Sequence, residues 1–236
     1  MVRQGYYPRE MFRDDVAFIL PANDREQTEA QEADLRRYFP DCEYFAVFGA
    51  SSFFDAWRQA IPQATKRWLI LTHQDTRITH IPDLEKWFGP TTGLAGAAGS
   101  RELTAKEPWW FMGDRLRRGL CSGLVHHAKN EKSARIVSHF GPAGRVVILD
   151  GVVLITRKDL LEKIGGVPEK DYAHWDFYDH VLCMEFLKAG LEIRTLPIQI
   201  THFSGGNRAG DETFNKNAER FKAEYLPLGL QYYTER

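Results

Sequence analysis

Trp68-Leu69-Ile70-Leu71 runs without a break into Thr72-His73-Gln74-Asp75. Four bulky apolar residues in a row, with no polar alternation, describe a strand buried on both faces. That is the habit of parallel sheets covered by helices. The polar stretch that follows therefore lies at a strand end. In such sheets ligands bind in the crevice beyond the carboxyl ends of the strands, so Asp75 is the first place to look for chemistry.

Working outward, the same pattern repeats. Val16–Leu20 (VAFIL) is a second continuous apolar run, stopped by Pro21. Asp24 is placed to cap a helix through about Tyr38. Glu43–Phe48 reads as a strand, and Ser51 or Ser52 starts a helix through Ala60. Asp83 caps a short helix, DLEKWF, and Gly93–Gly99 is a Gly/Ala-rich strand. Arg145–Leu149 (RVVIL) ends in Asp150-Gly151, and VVLIT continues extended. Lys158–Ile164 is a helix stopped by Gly165-Gly166; Phe177–Ala189 is another, closed by Gly190. Glu192–Ile200 is the last strand and leads to Thr201-His202, with a further helix over about 212–225. Residues 101–145 have weaker periodicity and many polar groups and read as an inserted, partly irregular region. Strands alternating with helices predict an α/β/α sandwich, Rossmann-like, with a mainly parallel central sheet. The expected organisation is a leader over 1–15, one domain over 16–206 and a tail over 207–236 packing on it.

The bulk properties exclude more than they propose. A chain of 236 residues buries a core without disulfides or a structural metal. A formal net charge of -1 offers no argument for a nucleic-acid or membrane surface. Cys42, Cys121 and Cys183 are far apart and form no CxxC pair, which argues against a zinc ribbon and suits a reducing compartment. The start, MVRQGYYPREMFRDD, lacks the apolar core of a signal peptide, and no apolar run approaches the ~20 residues of a transmembrane helix. A cytoplasmic protein is expected. No GxxxxGK[ST], GxGxxG or GxSxG motif occurs, so P-loop, Rossmann redox and α/β-hydrolase chemistry lack their usual anchors.

Three constellations remain. Asp75 in THQD, just past a buried strand, suits a hard divalent cation, since Mg²⁺ or Mn²⁺ takes one or two protein carboxylates and fills the rest with phosphate oxygens and water. It equally suits a helix cap. YAHWDFYDH at 172–180 is the densest cluster of titratable and aromatic groups. With a helix starting near Phe177, Asp176 is its cap and Asp179 its third residue. Asp179 is then positioned to take a proton from a hydroxyl, or both carboxylates merely satisfy helix N–H groups. His174 and His180 add a zinc alternative without the usual spacing. His202, in ITHFSGG, precedes a loop, Ser204-Gly205-Gly206-Asn207-Arg208, whose N–H groups and arginine suit phosphate; the same residues suit an ordinary turn. Trp109-Trp110 either stacks on a sugar or base or belongs to the core.

In their order, VAFILPANDRE, SSFFDAWRQAI, LILTHQDTRI, GLAGAAGSR, VVILDGVVLITRKDLLEKIGG, WDFYDHVLCMEFLKAG and LEIRTLPIQITHFSGG resemble glycosyltransferase family 2. The nearest look is its streptomycin-biosynthesis-protein-like branch, over about residues 15–205. The resemblance implies a GT-A fold and an inverting transfer from a nucleoside-diphosphate sugar to an acceptor hydroxyl, with Mn²⁺ or Mg²⁺. HQD stands at the family's DxD-type motif, so Asp75 would bind the cation and the donor diphosphate, with His73 in the place of the first acid. His202 stands where many GT-A enzymes place a later metal ligand. Asp179 matches the carboxylate of the "ED" motif, the presumed base, with Tyr178 in the place of Glu. Pro21, Asn23 and Glu26 fall where the nucleotide is cradled, with Arg208 also on the nucleotide side. Asp150 and Gly151, together with Trp175 and Asp176, are expected near the donor sugar or the acceptor. The acceptor class is open: a glycan, a lipid-linked sugar, a metabolite, a protein or a modified nucleic-acid base. So is the oligomeric state. A binding module that lost catalysis and a metal-dependent nucleotidyltransferase are the competing readings.

Overall fold

The uninterrupted apolar run VAFILPA forms β1 (Val16–Ala22), buried along its whole length. This is a computed structural model that describes residues 15–111, 113–130, 132–169, 172, 175–203, 211–226 and 232–233. After β1 come α1 (Arg25–Tyr38), β2 (Glu43–Phe48), α2 (Phe53–Ala60), β3 (Trp68–Thr72), β4 (Thr76–His80), α3 (Leu84–Trp87), β5 (Thr92–Gly96), β6 (Ala98–Ser100) and β7 (Glu102–Leu103). Then follow α4 (Gly113–Arg117), β8 (Cys121–His127), β9 (Ile136–Gly141), β10 (Arg145–Val146), β11 (Ile148–Leu149) and β12 (Val153–Arg157). The chain continues through α5 (Lys158–Lys163), α6 (Tyr178–Lys188), β13 (Glu192–Thr195), β14 (Gln199–His202), α7 (Glu212–Tyr225) and β15 (Tyr232–Tyr233). The expected caps are in place: Asp24, Ser52 and Asp83 each accept a backbone N–H of the first helical turn.

The central sheet has the order β10-β13-β5-β12-β3-β1-β2. β1, β2, β3, β5 and β13 run one way, and β12 and β10 run against them. A second sheet has the order β11-β6-β8-β14-β4, with β9 on the far side of β8. Three runs that read as single strands are each divided between the two sheets: β5 from β6, β10 from β11, and β13 from β14. A continuous apolar run carries no mark of where the backbone turns from one buried sheet to the next; of the three, only the last has a breaker, Pro197.

Residues 101–145 are the main departure from expectation. They contain β8 and β9, a paired hairpin, and so carry more regular structure than the partly irregular region expected. Gly123 shows why β8 passes so close to its neighbours: at φ +101 an added Cβ would lie 2.0 Å from the Ala97 carbonyl. The rest of the segment is organised by Arg115, whose side chain is fully buried. Its guanidinium donates to the carbonyls of Trp109 and Glu107 and pairs with the Glu102 and Glu107 carboxylates at 3.5 Å. Trp109 and Trp110 pack on protein aromatics, Trp109 on Phe214 and Trp110 on Phe111 and Phe140.

α7 closes over α6. Phe221 and Tyr225 are buried, and Tyr225 Oη donates to Glu185 Oε1 at 2.6 Å. Tyr225→Phe keeps the ring and removes that bond to a carboxylate, so it should cost roughly 1–2 kcal/mol in urea unfolding. A cost near zero would mean that α7 is not part of the cooperative unit.

Candidate functional site

Asp75 sits at the corner where the chain leaves the central sheet through β3 and enters the second sheet through β4. The turn His73-Gln74-Asp75 is clamped from two sides. Gln31 of α1 donates from Nε2 to the carbonyls of His73 (2.7 Å) and Thr76 (2.6 Å). Gln74 Oε1 accepts from Asn23 N at 2.9 Å and Asp24 N at 3.3 Å, and its Nε2 donates to Asn23 Oδ1 at 2.5 Å. The end of β1 and the turn therefore hold each other.

β14 pairs antiparallel with β4 so that His202 faces Thr76. This register brings His202 Nε2 to 3.4 Å from Asp75 Oδ1. His73 Nδ1 lies 3.7 Å from the same oxygen. The ligand atoms of His73, Asp75 and His202 all fall within 4.8 Å of one another. Atoms about 2.2 Å from one ion are at most roughly 4.4 Å apart, so a small contraction completes the shell. Asp75 Oδ1 is buried and has no hydrogen-bond partner of good geometry, which is what a cation-binding oxygen looks like without its ion. The three side chains fit a divalent cation. His73, read from the sequence as a lost acid, is the contributor that the pattern missed.

The charges are arranged around this point. Burial holds the His73 imidazole down to about 4, with His202 beside it adding to the effect, so it is neutral near pH 7. Burial also opposes charge on His202, but Asp75 and Asp150 outweigh it and raise its pKa. Asp75 is kept below the usual carboxylate range by His202 despite burial.

A cavity of about 300 Å³ opens beside the turn. Pro21, Asn23, Asp75, Trp175 and Asp176 line it, as do Phe53, His73 and Gln74. Glu26 lines a second cavity of about 340 Å³, which shares only Gln74 and Asp75 with the first and also holds Lys129 and Arg77. Arg208 and His174 lie outside the described residues. Phe53 had no sequence signal beyond its apolar character.

Asp179, Asp150 and Gly151 form a layer behind Tyr178. α6 begins at Tyr178, not Phe177, and its N-cap is Phe177 at φ 61 with no side-chain cap. Asp176 is therefore not the cap, and Asp179 is the second helical residue rather than the third. Phe177 alone among the described non-glycine residues has positive φ, at a cost of roughly 1–2 kcal/mol. Its buried ring, packed on Phe214 and Phe221, holds it there. This kink sends Trp175 and Asp176 toward the cavity and Tyr178 and Asp179 inward.

Asp179 Oδ1 accepts from His180 N at 2.8 Å and His180 Nδ1 at 2.6 Å. Burial works against its charge, but His180 and the Gly151 N–H hold its pKa below the usual value. Gly151 is required by a close approach: a Cβ there would lie 2.1 Å from Tyr178 Oη. Asp150 is the opposite case, pushed up to about 6 by burial. A carboxyl whose pKa is higher folded than unfolded costs nothing below about pH 4. It destabilises the fold as pH rises through 6, by roughly 1–3 kcal/mol. Metal-free Asp150→Asn should therefore gain that much over wild type at pH 8 and almost nothing at pH 4, by urea unfolding. An equal gain at both would remove the charge argument.

No helix of the described residues is long and apolar enough to cross a membrane. No curated protein sequence matches the chain. Among solved structures, GalNAc-T7 with UDP, GalNAc and Mn²⁺ matches at TM-score 0.52 and 10% identity, over 89% of this chain and 49% of that one. This chain thus spans about half that transferase. The mannosyltransferase PcManGT from Pyrobaculum calidifontis, in complex with GDP-Man and Mn²⁺, matches at 0.49 and 14% identity, over 92% and 63%. A Drosophila β-1,4-galactosyltransferase 7 mutant with manganese, UDP-Gal and xylobiose matches at 0.48 and 10%, over 84% and 73%. The likeness to GalNAc-T7 shows the fold, an α/β sandwich as the strand–helix alternation predicts and of the GT-A type that the family resemblance implies. The profile of the Glycosyltransferase like family matches residues 17–225, and the chain belongs to that family.

Proposed function

We propose that the chain is a metal-dependent inverting glycosyltransferase, moving a hexosyl or pentosyl group from a nucleoside-diphosphate sugar to an acceptor hydroxyl. The observation that carries this reading is the meeting of Asp75, His202 and His73 beside a cavity lined by Pro21, Asn23, Trp175 and Asp176. A divalent cation held there supplies Lewis-acid charge to the departing diphosphate. Two imidazoles and one carboxylate suit Mn²⁺ better than Mg²⁺. Pro21 and Asn23 cradle the nucleotide, and a nucleotide-binding role is assigned also to Glu26, from the neighbouring cavity, and to Arg208, which lies outside the described residues. Trp175 and Asp176 face the transferred sugar or the acceptor, with Asp150 and Gly151 backing that side of the site from behind Tyr178.

Asp179 takes the proton of the acceptor hydroxyl as its oxygen bonds to the anomeric carbon. The bond from that carbon to the diphosphate oxygen breaks on the opposite face, and the nucleoside diphosphate leaves with the electron pair. We assign the chain to the streptomycin-biosynthesis-protein-like branch and, on its three buried free cysteines, to the cytoplasm.

The test is a panel of UDP-, GDP-, CDP- and dTDP-sugars with Mn²⁺ or Mg²⁺, followed by calorimetry with the nucleotides. Turnover releasing a nucleoside diphosphate supports the reading. Release of pyrophosphate would make the protein a nucleotidyltransferase, and nucleotide binding without turnover would make it a binding module.

A further inference from the structure

Two departures from the family pattern meet in space. His73 stands where the metal motif has its first acid, Tyr178 where the later motif has Glu, and Tyr178 Oη lies 2.5 Å from His73 Nε2 across 105 positions of sequence. We infer that Tyr178 sets the tautomer of His73. Its hydroxyl oxygen accepts a hydrogen bond from Nε2–H, which leaves the Nδ1 lone pair facing Asp75 and makes His73 a third protein ligand of the cation. The inference rests on the metal-dependent reading above.

Distance is the first argument. With Nε2 engaged by Tyr178, the nitrogen nearest Asp75 Oδ1 is Nδ1, at 3.7 Å. That gap is too long for a hydrogen bond and suits an ion between the two atoms. His202 Nε2 stands off from the same oxygen at 3.4 Å.

Rigidity is the second. Phe53 stacks on the Tyr178 ring at 3.7 Å between centroids and packs against His73 at 5.0 Å. Gly151 leaves no room for even a methyl group beside Oη. Both rings are held before any ion arrives, so the small contraction that completes the shell needs no change in the orientation of His73.

The remaining nitrogen is the third. With Nδ1 turned to Asp75 Oδ1 as a ligand atom, Nε2 is the nitrogen left to carry the proton, and the Tyr178 oxygen 2.5 Å away is the acceptor it meets. Histidines that ligate metals regularly give their other N–H to an oxygen, which fixes the tautomer and raises ligand basicity. Tyr178 is thus a positioning residue, acting on the cation only through His73.

The experiment is titration of the full-length chain with Mn²⁺ alone, following free Mn²⁺ by electron paramagnetic resonance. Tyr178→Phe, which keeps the stacking on Phe53, should weaken Mn²⁺ binding about 10–100-fold. His73→Ala should weaken it at least as much, and the double variant should be no weaker than His73→Ala. In the metal-free wild type, ¹⁵N chemical shifts of His73 should report the Nε2–H tautomer, a reading that needs no variant. Equal Mn²⁺ affinity in Tyr178→Phe and wild type, additive losses in the double variant, or an Nδ1–H tautomer would each overturn the inference. If Asp75→Asn abolishes binding while Tyr178→Phe preserves it, the metal site stands and only the role of Tyr178 falls. If the wild-type chain binds no Mn²⁺, both fall.

Discussion

Asp179→Asn should lower turnover by about 10²–10⁴-fold, the range for loss of a general base, with nucleotide affinity unchanged. The substitution is close to isosteric. An amide oxygen at that position still accepts from His180 N and Nδ1, so the start of α6 keeps those bonds, while the acceptor for the Gly151 N–H is lost. What disappears is the charge, together with the capacity to take a proton. Burial makes that charge costly, and the His180 imidazole with two backbone N–H groups sustains it. Such an arrangement keeps the carboxylate ionised and ready through the neutral range. The measurement is kcat with a competent donor, beside calorimetry with the matching nucleotide and thermal unfolding. An unchanged rate would move the base role to Asp176, the carboxylate of the same segment that lines the cavity.

Asp75→Asn is the second large effect. It removes the only carboxylate of the candidate metal group, and turnover should fall about 10³-fold or more, since a Lewis acid at the leaving oxygens supplies several kcal/mol. Mn²⁺ binding should vanish with it. In the metal-free fold two effects oppose each other: burial makes the Asp75 charge costly, but His202 outweighs burial and keeps the pKa low, so the neutral amide should cost the fold a little stability near pH 7. A variant that keeps Mn²⁺ affinity would show that the cation is held elsewhere.

Much of the fold was legible because it is written locally. Apolar runs announce buried strands within five or six residues. Asp24, Ser52 and Asp83 cap helices through bonds to residues two or three positions away. The helix α7 appeared at its expected bounds for the same reason. At the site, the position of Asp75 just after a strand was legible, whereas Pro21 and Asn23, which line the cavity beside it, were expected only through the family resemblance. The cap of α6 was misread because Phe177 takes a backbone conformation that its own chemistry disfavours, and packing from α7 sustains it. The hairpin of β8 and β9 was hidden because an edge strand with exposed Ile136 and Val137 shows neither a buried run nor a clean alternation.

Return, then, to Leu71, Thr72 and the turn that follows. By itself the sequence determined that a carboxylate would stand at the end of a buried central strand, because strand burial and termination are short-range properties. Which groups would stand beside Asp75 was decided only by the tertiary structure. His202 arrives through the register of β14 on β4, and Tyr178 reaches His73 through a kinked helix start more than a hundred residues away. Local propensity fades within a turn or two of chain. Register and the point where an apolar run changes sheets are set by contacts between distant segments, and those contacts turn one strand-end aspartate into a candidate metal centre.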